Sequence, residues 1–234
     1  NGIGNDAGSI TAYGNANLTA DSLNNQKGLV QAGKTASLAI STIDNQNTRQ
    51  DLASAAASSA PLGIQAGTVK LTGNLNNNNG QVLAGSVTST GQTLTNQGGQ
   101  IYANDIGITT SGQLDNSSGT IIADNALTLD TASLLNTDGK AHANDALTLT
   151  VHGNHSSTGQ VSSANNLTLN VDQDFTHTAG STLSAAGKLD VHANNITNQA
   201  NASISAGHTA LTATNALTND GTIDGGLVEL RGNT

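Results

Sequence analysis

The stretch TIIADNALTLDTASLLNTDG, residues 120–139, contains every part of a unit that recurs along the 234-residue chain. It has an apolar-x-Ala step at residues 121–123 and an alternating Leu-Thr-Leu segment at residues 127–129. It ends with a leucine, an asparagine two positions later and a glycine. Alternation of apolar and polar residues with a period of two is typical of a half-buried β-strand. Strands this short cannot bury an apolar face alone, so the unit predicts stacking against copies of itself.

Asparagine occupies the same position in most of these units. Eight asparagines each follow a leucine or isoleucine at the second position, and most successive pairs lie about 20 residues apart. A period of about 20 residues that persists along a chain is the signature of a solenoid. Between Asn136 and Asn198 the asparagine is missing twice, and there we expect Ser156 and His177 to take its place. The ladder asparagines are Asn25, Asn45, Asn77, Asn96, Asn116, Asn136, Asn198 and Asn219.

We expect this asparagine ladder to serve the fold and not to bind a ligand. A turn between coils needs residues that tolerate a left-handed backbone, and asparagine and glycine do so at low cost. Stacked amides can also form hydrogen bonds along the axis of the stack. Both properties predict that the ladder asparagines lie at the turns and bind one another.

The fold predicted from these features is all-β, a parallel β-helix of about eleven coils of about 20 residues each. The composition agrees: there are 27 glycines, one proline and no Cys, Met or Trp, as suits a narrow interior filled by Leu, Ile, Val and Ala. No run approaches the roughly 20 apolar residues of a transmembrane segment. The net charge of −9, with scattered cations, argues against nucleic-acid binding. We expect residues 1–234 to form one segment of a longer chain.

The period is broken once by an insertion. The step from Asn45 to Ala66 is three times as long as the equivalent step from Asn25 to Ala32. We therefore expect residues 46–62 to leave the wall of the helix as a loop or as a short helix over residues 50–57, capped by Thr48 and stopped by Pro61. Two interpretations stay open, a tolerated surface insertion and a binding excursion. The candidate contact residues are Arg49, Asp51 and Leu52.

The region between His142 and His192 contains clustered histidines and aspartates that suggest a metal site. The spacing in the HGNH segment at residues 152–155 matches no familiar ligand set. The DQD segment at residues 172–174 lacks the glycine and the distal glutamate of a calcium loop. We therefore expect turn residues in solvent, no metal and no cofactor, with Phe175 filling the interior.

Parallel β-helices also include polysaccharide-degrading enzymes, which is the alternative interpretation of the chain. Glycoside hydrolysis needs two carboxyl groups at a fixed separation, and stacked coils bring equivalent residues of successive repeats together. Asp105, Asp124 and Asp145 have the spacing of one repeat, and Asp115 and Asp138 have it less closely. The first three occupy the turn position that asparagine and glycine also take, and neither arginine lies near them in register. We therefore expect no catalytic residues and no enzymatic activity.

The complete unit, Ile-x-Ala-Gly/Asn followed by Leu-Thr-Leu and Leu-x-Asn-x-x-Gly, resembles the haemagglutinin repeat of bacterial two-partner-secreted exoproteins. That group includes filamentous haemagglutinin adhesins and the large effectors of contact-dependent growth inhibition. The resemblance runs from about Gly8 to Leu230.

The resemblance implies a right-handed helix, export through an outer-membrane two-partner-secretion transporter, and a secreted virulence protein on the exterior of the bacterial cell. It implies a filament that presents an adhesin or a growth-inhibition toxin to target cells. A receptor or glycan on those cells would then be the partner of the insertion. The shaft is common to adhesins and toxins, so the repeat leaves these two roles open.

Overall fold

The structure, a computed structural model, describes residues 1–50 and 61–232. Within these ranges all regular secondary structure is β-strand, and no helix is present. The strands are β1 Gly2–Gly4, β2 Ser9–Ala12, β3 Ala16–Asn24, β4 Leu29–Asp44, β5 Gly63–Asn76, β6 Gln81–Gly91, β7 Leu94–Thr95, β8 Gln100–Ala103, β9 Asp105–Asp115, β10 Thr120–Ala123, β11 Leu127–Leu135, β12 Lys140–Ala143, β13 Ala146–Val151, β14 His155–Ser157, β15 Gln160–Ser163, β16 Asn166–Val171, β17 Phe175–His177, β18 Thr182–Ala193, β19 Ile196–Asn198, β20 Ser203–Ala213, β21 Leu217–Asn219 and β22 Thr222–Arg231.

Each strand pairs in parallel with the equivalent strand of the next coil. Thr120 of β10, for example, lies between Gln100 of β8 and Lys140 of β12. The same register carries the apolar-x-Ala strand through about eleven turns of a β-solenoid. The predicted all-β parallel β-helix is therefore confirmed, and one period of the sequence corresponds to one turn of the chain around the axis.

Alternation along the strands sorts the side chains into an apolar interior and a polar exterior. In β11 the side chains of Leu127 and Leu129 are fully buried, while Thr128 between them is exposed. Leu127 stacks on Ile106 below and Leu147 above, so one interior column consists of branched aliphatic residues. Phe175 is also fully buried, as predicted for the filling of the interior.

Each coil has three strand segments, and the third changes its character along the stack. In β11 the register against β9 shifts between Thr131 and Ser133, which marks a corner. The buried Thr131 hydroxyl lies 2.8 Å from the Ser133 carbonyl oxygen and accepts a hydrogen bond of 2.7 Å from Thr110 on the coil below. In the later coils the third segment is a separate four-stranded sheet made of β14, β17, β19 and β21.

At the insertion, the register of the wall resumes with little change. Asn24 pairs with Asp44, and Leu29 pairs with Gly63. Residues 46–62 therefore make the same connection between strands that residues 26–28 make one coil earlier. Residues 50–57 were predicted to be helical, and all of them except Gln50 lie outside the described residues. These include the candidate contact residues Asp51 and Leu52. The buried Thr48 hydroxyl donates to the Asn45 carbonyl oxygen at 3.0 Å and accepts from the Gln81 backbone N–H at 3.0 Å. The start of the insertion is thereby fixed to the wall.

Candidate functional site

The asparagine ladder runs through the interior as a chain of amide hydrogen bonds. The Nδ2–H of each asparagine donates to the Oδ1 of the next one at 2.6–2.8 Å, over seven asparagines from Asn5 to Asn136. A further bond of 2.7 Å joins Asn198 to Asn219. The second N–H of a regular rung points to backbone: that of Asn116 lies 3.2 Å from the Lys140 carbonyl oxygen. Since all of these residues except Asn219 are buried, the bonds satisfy groups whose desolvation would otherwise be costly.

Asn5 begins this ladder and was not among the predicted rungs. Ile3 stands two positions before it, Gly8 stands three positions after it, and Asn25 holds the equivalent position of the next coil. These are the signals that identified the other rungs, so Asn5 could have been found from the sequence.

The left-handed turn residues are not the ladder asparagines, which corrects the prediction about their backbone. Positive φ angles occur two positions later, at sites held by Lys27 (52°), Ser118 (54°) and Asp138 (55°), among others. Asn, Asp or Gly, which tolerate this region, hold the position in four coils, and residue types without that preference hold it in three: Ala7, Lys27 and Ser118. The asparagine is required for its amide, and the turn forms around it.

Two of the interior ladder positions carry other residues, and one of them differs from the prediction. Ser157 pairs in register with His177, and His177 pairs with Asn198. The predicted Ser156 is wrong: its side chain is exposed, and Ser157 is the buried rung. The prediction failed because His155 takes the position that an apolar residue holds in the other coils. The rung two residues after it was therefore not recognised.

His177 continues the ladder only in part, because a neutral imidazole has a single N–H. Its Nε2 lies 2.9 Å from the Ser203 carbonyl oxygen, to which it donates, and Nδ1 faces the Ser157 hydroxyl at 3.2 Å. No donor remains for Asn198, whose buried Oδ1 has no hydrogen-bond partner among the described residues. The chain of amides is therefore interrupted between Asn136 and Asn198.

His155 of the HGNH segment is buried in a strand, which corrects the prediction of a turn residue in solvent, and with His177 it lies against Phe175 in the interior. The rings of His155 and Phe175 are stacked at 5.8 Å with an interplanar angle of 14°, and His177 lies 6.1 Å from Phe175 on a tilted plane. Burial, together with the neighbouring His177, lowers the pKa of His155 to about 4. Burial also lowers the pKa of His177, against the opposing hydrogen bond to Ser203. Both imidazoles are therefore neutral at neutral pH.

The exposed His152 lies between two carboxylates in a stack on the surface. Its Nε2 contacts Asp130 at 2.7 Å and its Nδ1 contacts Asp172 at 2.9 Å, so carboxylates occupy both ring nitrogens. Hydrogen bonds to Asp172 and Asp130 raise the pKa of His152. Across residues 1–50 and 61–232 no group of three or more His, Cys, Asp or Glu side chains is placed to hold a metal ion.

Four of the five aspartates considered for catalysis, all but Asp138, accept side-chain hydrogen bonds within the wall. Asp124 accepts from Asn144 at 3.3 Å, and Asp145 accepts from Asn165 at 2.8 Å, each across neighbouring coils. Burial raises the pKa of Asp115, but hydrogen bonds from Ser117 and from the Gln97 amide outweigh it and lower that pKa. A general acid in glycoside hydrolysis needs a raised pKa, so the environment of Asp115 is opposite to the one that a general acid requires.

Of the candidate contact residues in the insertion, Arg49 is the described one. Its backbone N–H donates to the Asn79 carbonyl oxygen at 2.9 Å, and its guanidinium donates to the Gly98 carbonyl oxygen at 2.7 Å. A shallow cavity beside it is lined by Asn47, Arg49, Asn79 and Gly98. Arg49 thus spans several coils at the edge of the insertion.

The repeat matches a known protein family. The family model of the haemagglutinin repeat matches the chain three times, over residues 61–118, 116–178 and 176–225. The chain belongs to the haemagglutinin repeat family. Each haemagglutinin repeat match spans about three coils, and the coils before residue 61 continue the same strand register. Neither the comparison with curated proteins nor the comparison with solved structures gives a match.

Membership of the haemagglutinin repeat family implies a secreted or cell-surface exoprotein, and the family is structural and adhesive, not enzymatic. The polysaccharide-degrading alternative is accordingly not favoured. In the part of the chain that the structure describes, no helix is long and apolar enough to cross a membrane.

Proposed function

We propose that the chain is a shaft segment of a secreted bacterial exoprotein of the filamentous haemagglutinin or contact-dependent growth inhibition type. The observation that supports it is the repetition of one hydrogen-bonded coil along the described chain, with strands and ladder amides in register. Repetition of this kind suits a stiff rod. Its function is to hold whatever stands at its end, an adhesin or a toxin, away from the producing cell.

The spacing between stacked strands sets the length of the shaft. Neighbouring parallel strands lie about 4.8 Å apart, so about eleven coils extend for roughly 50 Å. Each added repeat lengthens the shaft by one strand spacing without a new core. We propose that the parent protein reaches the cell exterior through an outer-membrane two-partner-secretion transporter. The absence of cysteine suits such export, since no disulfide is needed for stability.

We also propose that the segment formed by residues 46–62 contacts a receptor or glycan on the target cell. Binding residues are frequently carried by loops on a rigid scaffold. Arg49, Asp51 and Leu52 are the side chains that we assign to this contact. The position of Arg49, exposed at the edge of the wall with its guanidinium across Gly98, supports the proposal.

Cell binding with and without the insertion tests this proposal. In one variant residues 46–62 are replaced by the short turn of residues 26–28, which preserves the strand register. Labelled chains are added to bacterial and epithelial cells, and circular dichroism verifies that both chains are folded. We expect the insertion-free chain to lose binding. Equal binding by both folded chains would place the contact elsewhere, and no binding by either would remove receptor contact from the proposed function.

A further inference from the structure

Beside the base of the insertion, the wall carries a cavity lined mainly by glutamines. It has a volume of about 350 Å³, within the usual range for small-ligand sites. We name it the glutamine groove; its lining residues are Gln50, Gln65, Gln81, Leu83, Gln100 and Tyr102. These residues are far apart in the sequence, and the stacking of coils brings them onto one face.

Hydrogen bonds to the base of the insertion hold the sides of the glutamine groove. The amides of Gln65 and Gln81 both donate to the Leu62 carbonyl oxygen, at 2.8 and 2.9 Å. The amide of Gln100 differs, because its side chain has no hydrogen-bond partner among the residues that the structure describes. Two amides are thus fixed in orientation, and a third presents an unused donor and acceptor to the cavity.

The floor of the glutamine groove is an apolar platform. Leu83, Tyr102 and Ile122 stack in register on three consecutive coils, and all three side chains are partly exposed. The Tyr102 hydroxyl donates to the Asp124 carboxylate on the next coil, which fixes the ring. A tyrosine ring tied to the wall through its hydroxyl and flanked by amides differs from the threonines and serines that cover most of the exterior.

The platform continues along the helix axis into a second cavity. This cavity shares Gln65, Leu83 and Tyr102 with the glutamine groove and reaches Gln31 two coils below Leu83. Neighbouring coils lie about 4.8 Å apart, so the combined surface is long enough along the axis to contact several sugar units. Small side chains at Ala32, Ala66 and Ala84 keep it open.

We propose that the glutamine groove binds a neutral oligosaccharide that lies along the helix axis. The inference deepens the proposed function and rests on its contact with the surface of the target cell. A pyranose has an apolar C–H face, which the Tyr102 ring and Leu83 can cover, and hydroxyls at its rim, which amides can bind as donors and acceptors.

Charge selects against acidic sugars at this position. The described lining of the glutamine groove has no Lys or Arg, and the Asp124 carboxylate stands beside Tyr102. The whole chain carries a net charge of −9. A uronic-acid or sialylated chain would meet repulsion from Asp124, and the described lining supplies no cation to offset it, whereas a neutral chain is not repelled.

Calorimetric titration of the 234-residue chain with maltotetraose, cellotetraose and tetra-N-acetylchitotetraose tests the inference, with tetragalacturonate as the acidic probe. We expect saturable binding of at least one neutral probe in the micromolar to millimolar range, and none of tetragalacturonate. A second readout uses tyrosine fluorescence. The chain has two tyrosines and no tryptophan, and Tyr13 is fully exposed, so Tyr13→Phe leaves Tyr102 as the only tyrosine reporter.

Three variants locate the binding. Tyr102→Ala removes the platform and is expected to weaken binding by about tenfold or more, whereas Tyr102→Phe keeps the ring and most of the affinity. Gln100→Ala is expected to weaken it by about threefold or more. The matched control is Gln160→Ala, at the same register position three coils away. Since the Gln100 side chain makes no hydrogen bond to the described residues, Gln100→Ala is expected to fold and remains informative even if Tyr102→Ala does not.

The inference is overturned if the folded chain binds no neutral probe at millimolar concentration, if tetragalacturonate binds as well as they do, or if Gln100→Ala and Gln160→Ala behave alike. Tyr102 and Gln100 lie outside residues 46–62. Oligosaccharide binding without cell binding would therefore contradict the proposed cell contact but support the glutamine groove as a binding site. Cell binding without oligosaccharide binding would contradict the glutamine groove as a binding site but support the cell contact.

Discussion

At the scale of single residues, the turn at Asn116 illustrates how closely successive coils approach one another. The Gly119 backbone N–H donates to the Asn116 carbonyl oxygen at 2.9 Å and closes the turn. A Cβ atom on Gly119 would lie 2.0 Å from the Asn96 carbonyl oxygen and 2.7 Å from Asn116 Oδ1. The glycine of the Asn-x-x-Gly motif is therefore required because backbone and ladder amide occupy the space of a side chain.

This contact predicts that Gly119→Ala destabilises the coil by about 1–3 kcal/mol, the usual range for overpacking in a rigid interior. Urea unfolding, followed by circular dichroism, would measure the effect. The control is Gly107→Ala, since a Cβ there meets nothing within 4 Å. Gly107→Ala should leave the midpoint unchanged or raise it slightly, because alanine restricts the unfolded chain. Equal midpoints for the two variants would contradict the role assigned to Gly119.

How far the residues could be predicted from sequence depends on whether a position repeats. Asn116 and Leu127 have counterparts in most of the other coils, so their burial and pairing followed from the pattern. Ser157 could not be placed, because His155 replaced the leucine that sets the count. The left-handed turn position was also missed, since the ladder asparagines themselves were assigned to it. Asn47 and Asn79 mark the true position two residues later, but Lys27 and Ser118 hold it in other coils and weaken the signal.

At the scale of elements, the sheet of β14, β17, β19 and β21 is the part of the wall that depends most on pH. His155 is buried between strands with a pKa of about 4, below the ordinary value of 6.5. The unfolded chain therefore binds this proton at a higher pH than the folded chain does. Stability contributed by the neutral imidazole is present above pH 6.5 and is lost as the pH falls toward 4.

The shift predicts that the free energy of unfolding decreases by roughly 2–3 kcal/mol between about pH 7 and pH 4.5 through His155 alone. The lowered pKa of His177 acts in the same direction. His155→Leu should reduce the dependence, because Ile196 and Leu217 hold the corresponding positions in later coils. Urea midpoints at the two pH values would measure it.

His152→Gln is the matched control for this measurement. The pKa of His152 is raised by Asp172 and Asp130, so the protonated His152 stabilises the folded chain below pH 6.5, and this contribution is lost as the pH rises through the raised pKa. Removing it should make the loss of stability on acidification steeper, not shallower. If His155→Leu and His152→Gln changed the pH dependence in the same direction, the assignment to the buried histidines would be wrong.

Elements also show where sequence reasoning reached its limit. The strands were predictable, because alternation and period appear in the residues themselves. The glutamine groove was not, because Gln65, Gln81 and Gln100 lie on successive coils and converge only through the register. The insertion also displaces the numbering, so no fixed sequence spacing connects Gln50 with Tyr102.

At the scale of the whole molecule, the solenoid behaves as a stack in which each coil contacts its two neighbours. The stability of such a chain is approximately a sum of coil and interface contributions. The number of coils should therefore be adjustable in whole units. Gln100, Thr120, Lys140 and Gln160 are equivalent positions in four consecutive coils, so residues 100–159 comprise three complete turns.

A chain in which residues 100–159 are duplicated should fold and be longer by roughly 15 Å, three strand spacings. The ladder would continue through the junction, since Asn136 would be followed after a Ser157 rung by a second Asn116. Small-angle scattering would measure the maximum dimension. The control duplicates residues 100–149, two and a half turns, which would set the interior leucines against outward positions. This control should lose cooperative unfolding. If both duplications extended the rod equally, coil register would not determine the structure, and a shaft built from repeating units would lose its physical basis.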